Sequence, residues 1–200
     1  SDGTTANDLS ISAVISGGAG IGLTKAGAGT LALSGVNNTY GTGASPGVTT
    51  INAGTLSIGA DNNLGTVPAA ATPGALAFGG GTLETTANFA LNANRGIALN
   101  TGGGTIQTDP ATTLTYNGII AGAAGNTFTK AGAGRLTLTG AAANTYTGTT
   151  TVNAGTLQLG KTAGVNAIGG DLVIGDDAGG ANADVVQLLA TNQSPLAGNV

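Results

Sequence analysis

Few residues in this chain of 200 could carry chemistry. The sequence contains five Lys or Arg and nine Asp or Glu, and it has no His, Cys, Met or Trp. Ser-His-Asp and Cys-His catalysis, His-ligated zinc, disulfides and thiol redox chemistry all require residues that are absent. The chemistry left open is that of carboxylates beside a cation, as in a β-helical glycosidase or lyase.

Glu84, Asp109 and Arg95 are the candidates for such a catalytic site. Glu84 is the only Glu, and Arg95 and Arg135 are the only Arg. No motif brings these side chains together, so the sequence predicts no enzymatic activity, no catalytic residue and no cofactor. A polysaccharide-degrading β-helix enzyme is kept as a third alternative.

The acidic residues Asp171, Asp176, Asp177 and Asp184 lie close together in a Gly-rich segment. Carboxylates at short spacing in such a segment suit Ca²⁺. The nonapeptide repeat of calcium-binding β-rolls is absent, however. The sequence therefore favours solvated turns, assigns no metal ligand and leaves calcium binding by these four residues open.

Two lysines and two tyrosines recur at equivalent places. Lys25 and Lys130 stand in T-K-A-G-A-G, and N-T-Y occurs at 38–40 and at 144–146. In a functional interpretation, the ammonium groups bind an acidic polysaccharide and the Tyr rings stack on sugars. The structural interpretation, which we favour, places each Lys at a corner, solvated or bonded to a neighbouring carbonyl. It also predicts that each Tyr caps the core and each Asn bonds the backbone within its own turn.

The elements that hold these residues are short strands. Apolar residues recur two positions apart between glycines, which places both side chains on one face of a strand. The pairs are Leu31/Leu33, Leu56/Ile58, Leu76/Phe78, Phe89/Leu91, Ile97/Leu99, Leu114/Tyr116, Leu136/Leu138, Leu157/Leu159 and Leu172/Ile174. Each strand alone buries little, so we expect stacked strands to share one core.

The strands belong to an internal repeat. Leu23–Gly35 reads LTKAGAGTLALSG and Phe128–Gly140 reads FTKAGAGRLTLTG. Farther on, INAGTLSIG at 51–59 matches VNAGTLQLG at 152–160. The first copy carries GTGASPG after N-T-Y where the second has only TG. A Gly-, Ser- and Pro-rich insertion that leaves the flanks intact is typical of a surface turn.

The strand pattern favours a parallel β-helix over a sandwich or barrel. Gly contributes 38 residues and charged residues only 7%. Asn117-Gly118 is the only Asn-Gly dipeptide, so hairpin turns are scarce. The prediction is an all-β solenoid of about nine or ten coils, at about 20 residues each, with no evident capping elements.

The motifs L-T-K-A-G-A-G-T-L, N-T-Y and I-N-A-G-T-L-x-I-G resemble the autotransporter-associated β-strand repeat, also called the passenger-associated transport repeat. The resemblance implies a right-handed parallel β-helix, displayed on or released from a bacterial surface. Any outer-membrane anchor would lie outside this segment. We expect residues 1–200 to be one β-helix segment of a longer chain, with repeat copies at 23–59 and 128–160, linking rungs at 60–127 and further rungs at 161–200.

The function predicted from these features is a non-enzymatic rigid stalk or spacer of an extracellular or surface-exposed passenger, supporting adhesion. A self-assembling extracellular filament or sheath is the second alternative. Expected partners are flanking coils of the same chain or end-to-end copies, with host or matrix glycans or proteins contacted through loops. The net charge of −4 without a basic cluster predicts no nucleic-acid partner. No apolar run approaches the roughly 20 residues of a membrane span.

Overall fold

The computed structural model describes residues 8–175 and 183–194. Within them the regular elements are 18 strands and a short 3-10 helix at Asp61–Leu64. The strands are β1 Leu9–Ile11, β2 Leu23–Lys25, β3 Thr30–Leu33, β4 Thr49–Ile51, β5 Thr55–Ile58, β6 Thr72–Phe78, β7 Thr82–Thr85, β8 Phe89–Leu91, β9 Arg95–Leu99, β10 Gly104–Thr108, β11 Thr113–Tyr116, β12 Ile120–Gly122, β13 Phe128–Ala131, β14 Arg135–Gly140, β15 Thr150–Val152, β16 Gly155–Lys161, β17 Leu172–Ile174 and β18 Asp184–Leu188.

The strands form three parallel sheets that run along one solenoid. An eight-stranded long sheet has the order β1-β3-β5-β7-β10-β13-β15-β17. An early sheet has the order β12-β9-β6-β4-β2, and a late sheet has the order β18-β16-β14-β11-β8. The predicted class, an all-β parallel solenoid, is confirmed.

The predicted number of coils is too high, because the coils are longer than 20 residues. Leu31 pairs with Leu56 and Leu56 with Leu83, so these coils take 25 and 27 residues. Val152 pairs with Ile174, a coil of 22 residues. The solenoid therefore makes about seven turns. Irregular corners such as the 3-10 helix at Asp61–Leu64 lengthen each coil beyond its strands.

The core is a column of aliphatic side chains enclosed by the sheets. Leu56, Leu83 and Ile106 stack in register in the long sheet and are fully buried. The predicted inward direction holds for most of the apolar pairs, which belong to one hydrophobic cluster. Ile174 in the last described coils differs, with half of its side-chain surface exposed.

The two repeat copies occupy different pairs of sheets. The first copy places β2 and β4 in the early sheet and β3 and β5 in the long sheet. The second copy places β13 and β15 in the long sheet and β14 and β16 in the late sheet.

The spacing of the copies explains this rotation. From Leu23 the register passes through Thr49, Leu76 and Ile97 to Ile120, so Ile120 stands four coils above Leu23. Phe128, the equivalent of Leu23, follows Ile120 by eight residues and begins the next strand, on the next sheet. The copies are therefore about a third of a turn out of phase.

Candidate functional site

The lysine of the first repeat turns into the solenoid at the end of β2. Lys25 is buried, and its Nζ donates to the carbonyl oxygens of Ala26 at 3.3 Å and Gly27 at 2.7 Å. A third bond of 3.1 Å reaches the carbonyl of Ala53 in the following coil. The ammonium group thus joins its own corner to the corner of the next coil.

The second repeat has the same arrangement. Lys130 Nζ donates to the carbonyls of Ala131 and Gly132, both at 2.7 Å, and to that of Ala154 in the next coil at 3.0 Å. Lys130 is fully buried, and burial lowers its pKa to about 8. Of the two predicted alternatives, a solvated lysine or one bonded to neighbouring carbonyls, the structure shows the second. Neither ammonium group lies where a surface glycan could reach it.

Glycines make room for these ammonium groups. Gly27 and Gly132 have φ of 74° and 73°, and Gly54 and Gly155, which follow in N-A-G, have φ of 63° and 70°. A Cβ on Gly54 would lie 2.4 Å from the carbonyl oxygen of Ala28. The backbone conformation of this corner therefore requires the glycines of K-A-G and N-A-G.

The asparagine of N-T-Y joins coils rather than closing its own turn, which corrects the prediction. Asn38 Oδ1 accepts from the backbone N–H of Ile15 at 2.8 Å, and its Nδ2 donates to the carbonyl of Asn63 at 2.8 Å. The second copy repeats both bonds, from Ile120 N to Asn144 Oδ1 at 2.9 Å and from Asn144 Nδ2 to Ala167 O at 2.6 Å. One side-chain amide thus continues the hydrogen-bond ladder across three coils.

The tyrosines of N-T-Y are buried, as predicted. The hydroxyl of Tyr40 lies 2.8 Å from Thr49 Oγ1, and that of Tyr146 lies 2.6 Å from Thr150 Oγ1. The Tyr146 ring is tilted against Phe128, with 6.0 Å between centroids. Burial raises the pKa of Tyr146 to about 12. Neither ring is available to stack on a sugar.

The candidate catalytic residues are not brought together. Arg95 is buried, and its Nε forms an ion pair of 3.0 Å with Asp61 Oδ1 while its Nη2 donates to the carbonyl of Gly65 at 2.6 Å. Glu84 instead accepts from Gln107 Nε2 at 2.8 Å, on the outside of the long sheet. Sequence reasoning missed Asp61, because it reaches Arg95 only through coil stacking.

The predicted acidic group is described only in part. Asp176 and Asp177 lie outside the described residues, while Asp171 and Asp184 lie at or beside strands β17 and β18. Among residues 8–175 and 183–194 no three His, Cys, Asp or Glu side chains are grouped so that they could hold a metal ion. The solvated turns favoured for the whole group stay a prediction, with calcium binding left open as the alternative.

An outward row of threonines crosses the long sheet. Its members are Thr30, Thr55, Thr82, Thr105, Thr129 and Thr151, each paired with the next and each partly exposed. Sequence reasoning missed this row because its members are a whole coil apart. β-branched residues favour such half-exposed strand positions, so the row needs no ligand to explain it.

A shallow apolar groove of about 410 Å³ lies along the start of the early-sheet strands. Its wall includes Pro73, Gly96, Ile119 and Ala121, and no charged side chain.

A helix with the length and hydropathy of a membrane span is absent from residues 8–175 and 183–194.

Comparison with known proteins agrees with the repeat pattern. A family model described as passenger-associated-transport-repeat matches residues 23–58 and 128–159. The Adhesin BmaC autotransporter of Brucella suis biovar 1 (strain 1330) is 42% identical over 176 residues. That alignment covers 86% of this chain but only 4% of the adhesin. No solved structure matches the chain.

Proposed function

We propose that this chain, which carries two passenger-associated transport repeats, is a rigid, non-enzymatic stretch of an exported adhesin-type passenger. It acts as a stalk or spacer at the bacterial surface or outside the cell, with any outer-membrane anchor elsewhere in the whole protein. Recognition of host or matrix glycans or proteins belongs to loops or to other segments. The coil is right-handed, as parallel crossover connections almost always are.

The observation that carries this proposal is the unbroken core. One hydrophobic cluster extends from Leu33 to Ile168, and no coil between them interrupts it. Polar cross-links at Lys25, Asn38, Asn144 and Lys130 tie neighbouring coils together at the corners. A solenoid held by a continuous core and inter-coil bonds transmits load along its axis.

The first and last coils support attachment to further coils. The exposed large apolar side chains of the described residues are Leu9, Val14, Ile21, Val36, Val48, Ile119, Val173, Ile174, Leu188 and Leu189. All except Val36, Val48 and Ile119 lie in the first or the last described coil, where another coil would cover them. Flanking coils of the same longer polypeptide are the proposed occupants, and residues 1–200 are one segment of that solenoid.

Light scattering and small-angle X-ray scattering of the purified 200-residue chain, over a range of concentrations, test the proposal. We expect a monomeric rod about 35 Å long, from about 4.8 Å per coil. A tandem of two such chains should be about 70 Å long at an unchanged cross-section, and a tandem no longer than the single chain would contradict the stalk.

The exposed apolar ends also favour the second candidate, an end-to-end filament. In that case the scattering mass grows with concentration, and Leu188→Ser together with Leu189→Ser abolishes the growth. An enzyme would instead show turnover of an acidic polysaccharide that is lost in Glu84→Ala. Such turnover would contradict the non-enzymatic proposal.

A further inference from the structure

We propose that the corner at which each repeat begins is an ammonium-binding site made of backbone carbonyls, with the lysine side chain as its tethered ligand. Emptied of that side chain, the site would bind a free primary ammonium ion. This inference is independent of the proposed function, since it concerns how the corner is built.

The first support is that the site occurs twice with the same atoms. Around Lys130 the three acceptors are the carbonyls of the next residue, the residue after it, and the alanine of N-A-G one coil later. Around Lys25 the acceptors are the equivalent three carbonyls. The first corner connects the early sheet to the long sheet, and the second connects the long sheet to the late sheet. The same corner structure therefore follows from the same local sequence at two different positions around the solenoid.

The second support is the match between donors and acceptors. A primary ammonium group has three N–H donors after its carbon substituent, and three carbonyl oxygens surround Nζ at 2.7–3.0 Å in the second copy. The six acceptors of the two ammonium groups, three at each corner, are all backbone carbonyl oxygens of described residues. At pH 7, below the pKa of about 8 to which burial lowers the Lys130 ammonium group, that group is still charged, and three neutral carbonyls match its three donors. Ca²⁺ instead takes about 6–8 oxygen ligands, mostly with carboxylates among them.

The third support is that the backbone is shaped for the cation. Gly132 and Gly155 have left-handed φ, and a Cβ on Gly155 would lie 2.5 Å from the Gly132 carbonyl that accepts from Lys130. These conformations are costly for other residues and are held in both copies. Without a cation the three partly buried carbonyls that converge on Lys130 would lose this donor.

The test is chemical rescue of Lys130→Ala, which removes the atoms equivalent to n-propylammonium. We expect the variant to melt at a lower temperature than the unaltered chain. Adding n-propylammonium at ten times its dissociation constant should raise that temperature by about 3–6 °C. Sodium chloride at equal ionic strength and propan-1-ol at equal concentration should not.

Lys130→Met is the matched control, because it fills the space of the stem without supplying a donor. It should melt below the unaltered chain and gain nothing from n-propylammonium. The proposal is overturned if Lys130→Met is as stable as the unaltered chain, or if propan-1-ol rescues Lys130→Ala as well as n-propylammonium does.

Two further measurements apply if Lys130→Ala does not fold. Lys25→Ala, in the other copy, should respond to n-propylammonium in the same way. In the unaltered chain, acylation by an amine-reactive ester at pH 8 should be far slower at Lys130 than in the urea-unfolded chain. Equal acylation rates would overturn the proposal.

Discussion

At the scale of single residues, the solenoid is joined by buried polar side chains as well as by its aliphatic core. Asn144, Lys130 and Arg95 each bond backbone atoms of a neighbouring coil. A buried polar group is stabilising only while its partners are present, and removing one partner leaves the others unpaired. Substitutions at these positions should therefore destabilise more than their size suggests.

Asn144→Ala tests this at the N-T-Y corner. The substitution leaves the N–H of Ile120 and the carbonyl of Ala167 unpaired, so we expect a loss of about 2–4 kcal/mol in the free energy of unfolding. Urea unfolding followed by circular dichroism measures it. Asn117→Ala, at an exposed position on the preceding coil, is the control and should change stability by less than about 0.5 kcal/mol. Equal effects of the two would contradict the inter-coil role.

The pH dependence of stability follows from Lys130 and Lys161. Burial lowers the pKa of both to about 8 from 10.5, so between these values the unfolded chain binds more protons than the folded chain. The free energy of unfolding should therefore rise between pH 8 and pH 10, by up to about 1.4 kcal/mol per pH unit for each lysine. This gain is lost as the pH falls through 8. The raised pKa of Tyr146 opposes this rise only above pH 10.

Urea midpoints measured from pH 7 to 10 check this dependence. Lys130→Met should show a shallower rise, because only Lys161 then contributes. A stability that falls between pH 8 and 10 in the unaltered chain would show that the carbonyl bonds outweigh desolvation at these lysines.

At the scale of elements, the coil is the unit of construction and its length sets the direction of each repeat. Each sheet pairs strands one coil apart. A whole coil can therefore be added or removed with the strand register kept, whereas a fraction of a coil cannot. The insertion at 41–47 is itself built into this ladder: Gly20 N–H donates to the Ser45 carbonyl, and Ala69 N–H donates to the Gly43 carbonyl. The sequence-based prediction of a surface turn there is incomplete, because coils on both sides bond to it.

Deleting residues 106–129 tests the coil as a unit. The deletion joins Thr105 directly to Lys130, the residue that lies in register with Ile106, so inward and outward positions are kept. We expect a folded β solenoid with a cooperative melt and a lower melting temperature, measured by circular dichroism. Deleting only 106–117 shifts the chain by about half a coil and should abolish the cooperative melt. Similar behaviour of the two deletions would contradict the modular coil.

At the scale of the whole molecule, most of the cations are buried, whereas the six acidic side chains among the described residues are exposed or partly exposed. Of the five Lys and Arg, only Arg135 has an exposed side chain. Its backbone lies in β14, which is paired on both sides. The outer surface is therefore anionic and offers a trypsin-like protease few accessible cleavage sites.

Trypsin digestion tests this arrangement. The folded chain should survive under conditions in which the urea-unfolded chain is cut at all its cationic residues, because cleavage requires local opening. Electrophoresis and mass spectrometry of the fragments measure it. Asn144→Ala should be digested faster than Asn117→Ala. Rapid cutting of the native chain after Lys25 or Lys130 would contradict the buried corners.

The sequence by itself determined the class of fold and the repeat. Alternating apolar residues such as Leu136 and Leu138, with glycine at the corners, specify short strands that share a core, because these signals are local. The recurrence of T-K-A-G-A-G and N-T-Y also identified the two corners. The absence of His and Cys excluded whole classes of chemistry without any structure.

The tertiary structure alone decided the coil length, the phase of the repeats and the partners of the polar side chains. The pairing of Arg95 with Asp61, the inter-coil bonds of Asn38 and the row from Thr30 to Thr151 all join residues at least one coil apart. Coil length depends on how irregular corners pack, so the register between distant residues is a property of the stacked solenoid. That is why the strands were predictable from sequence while their neighbours were not.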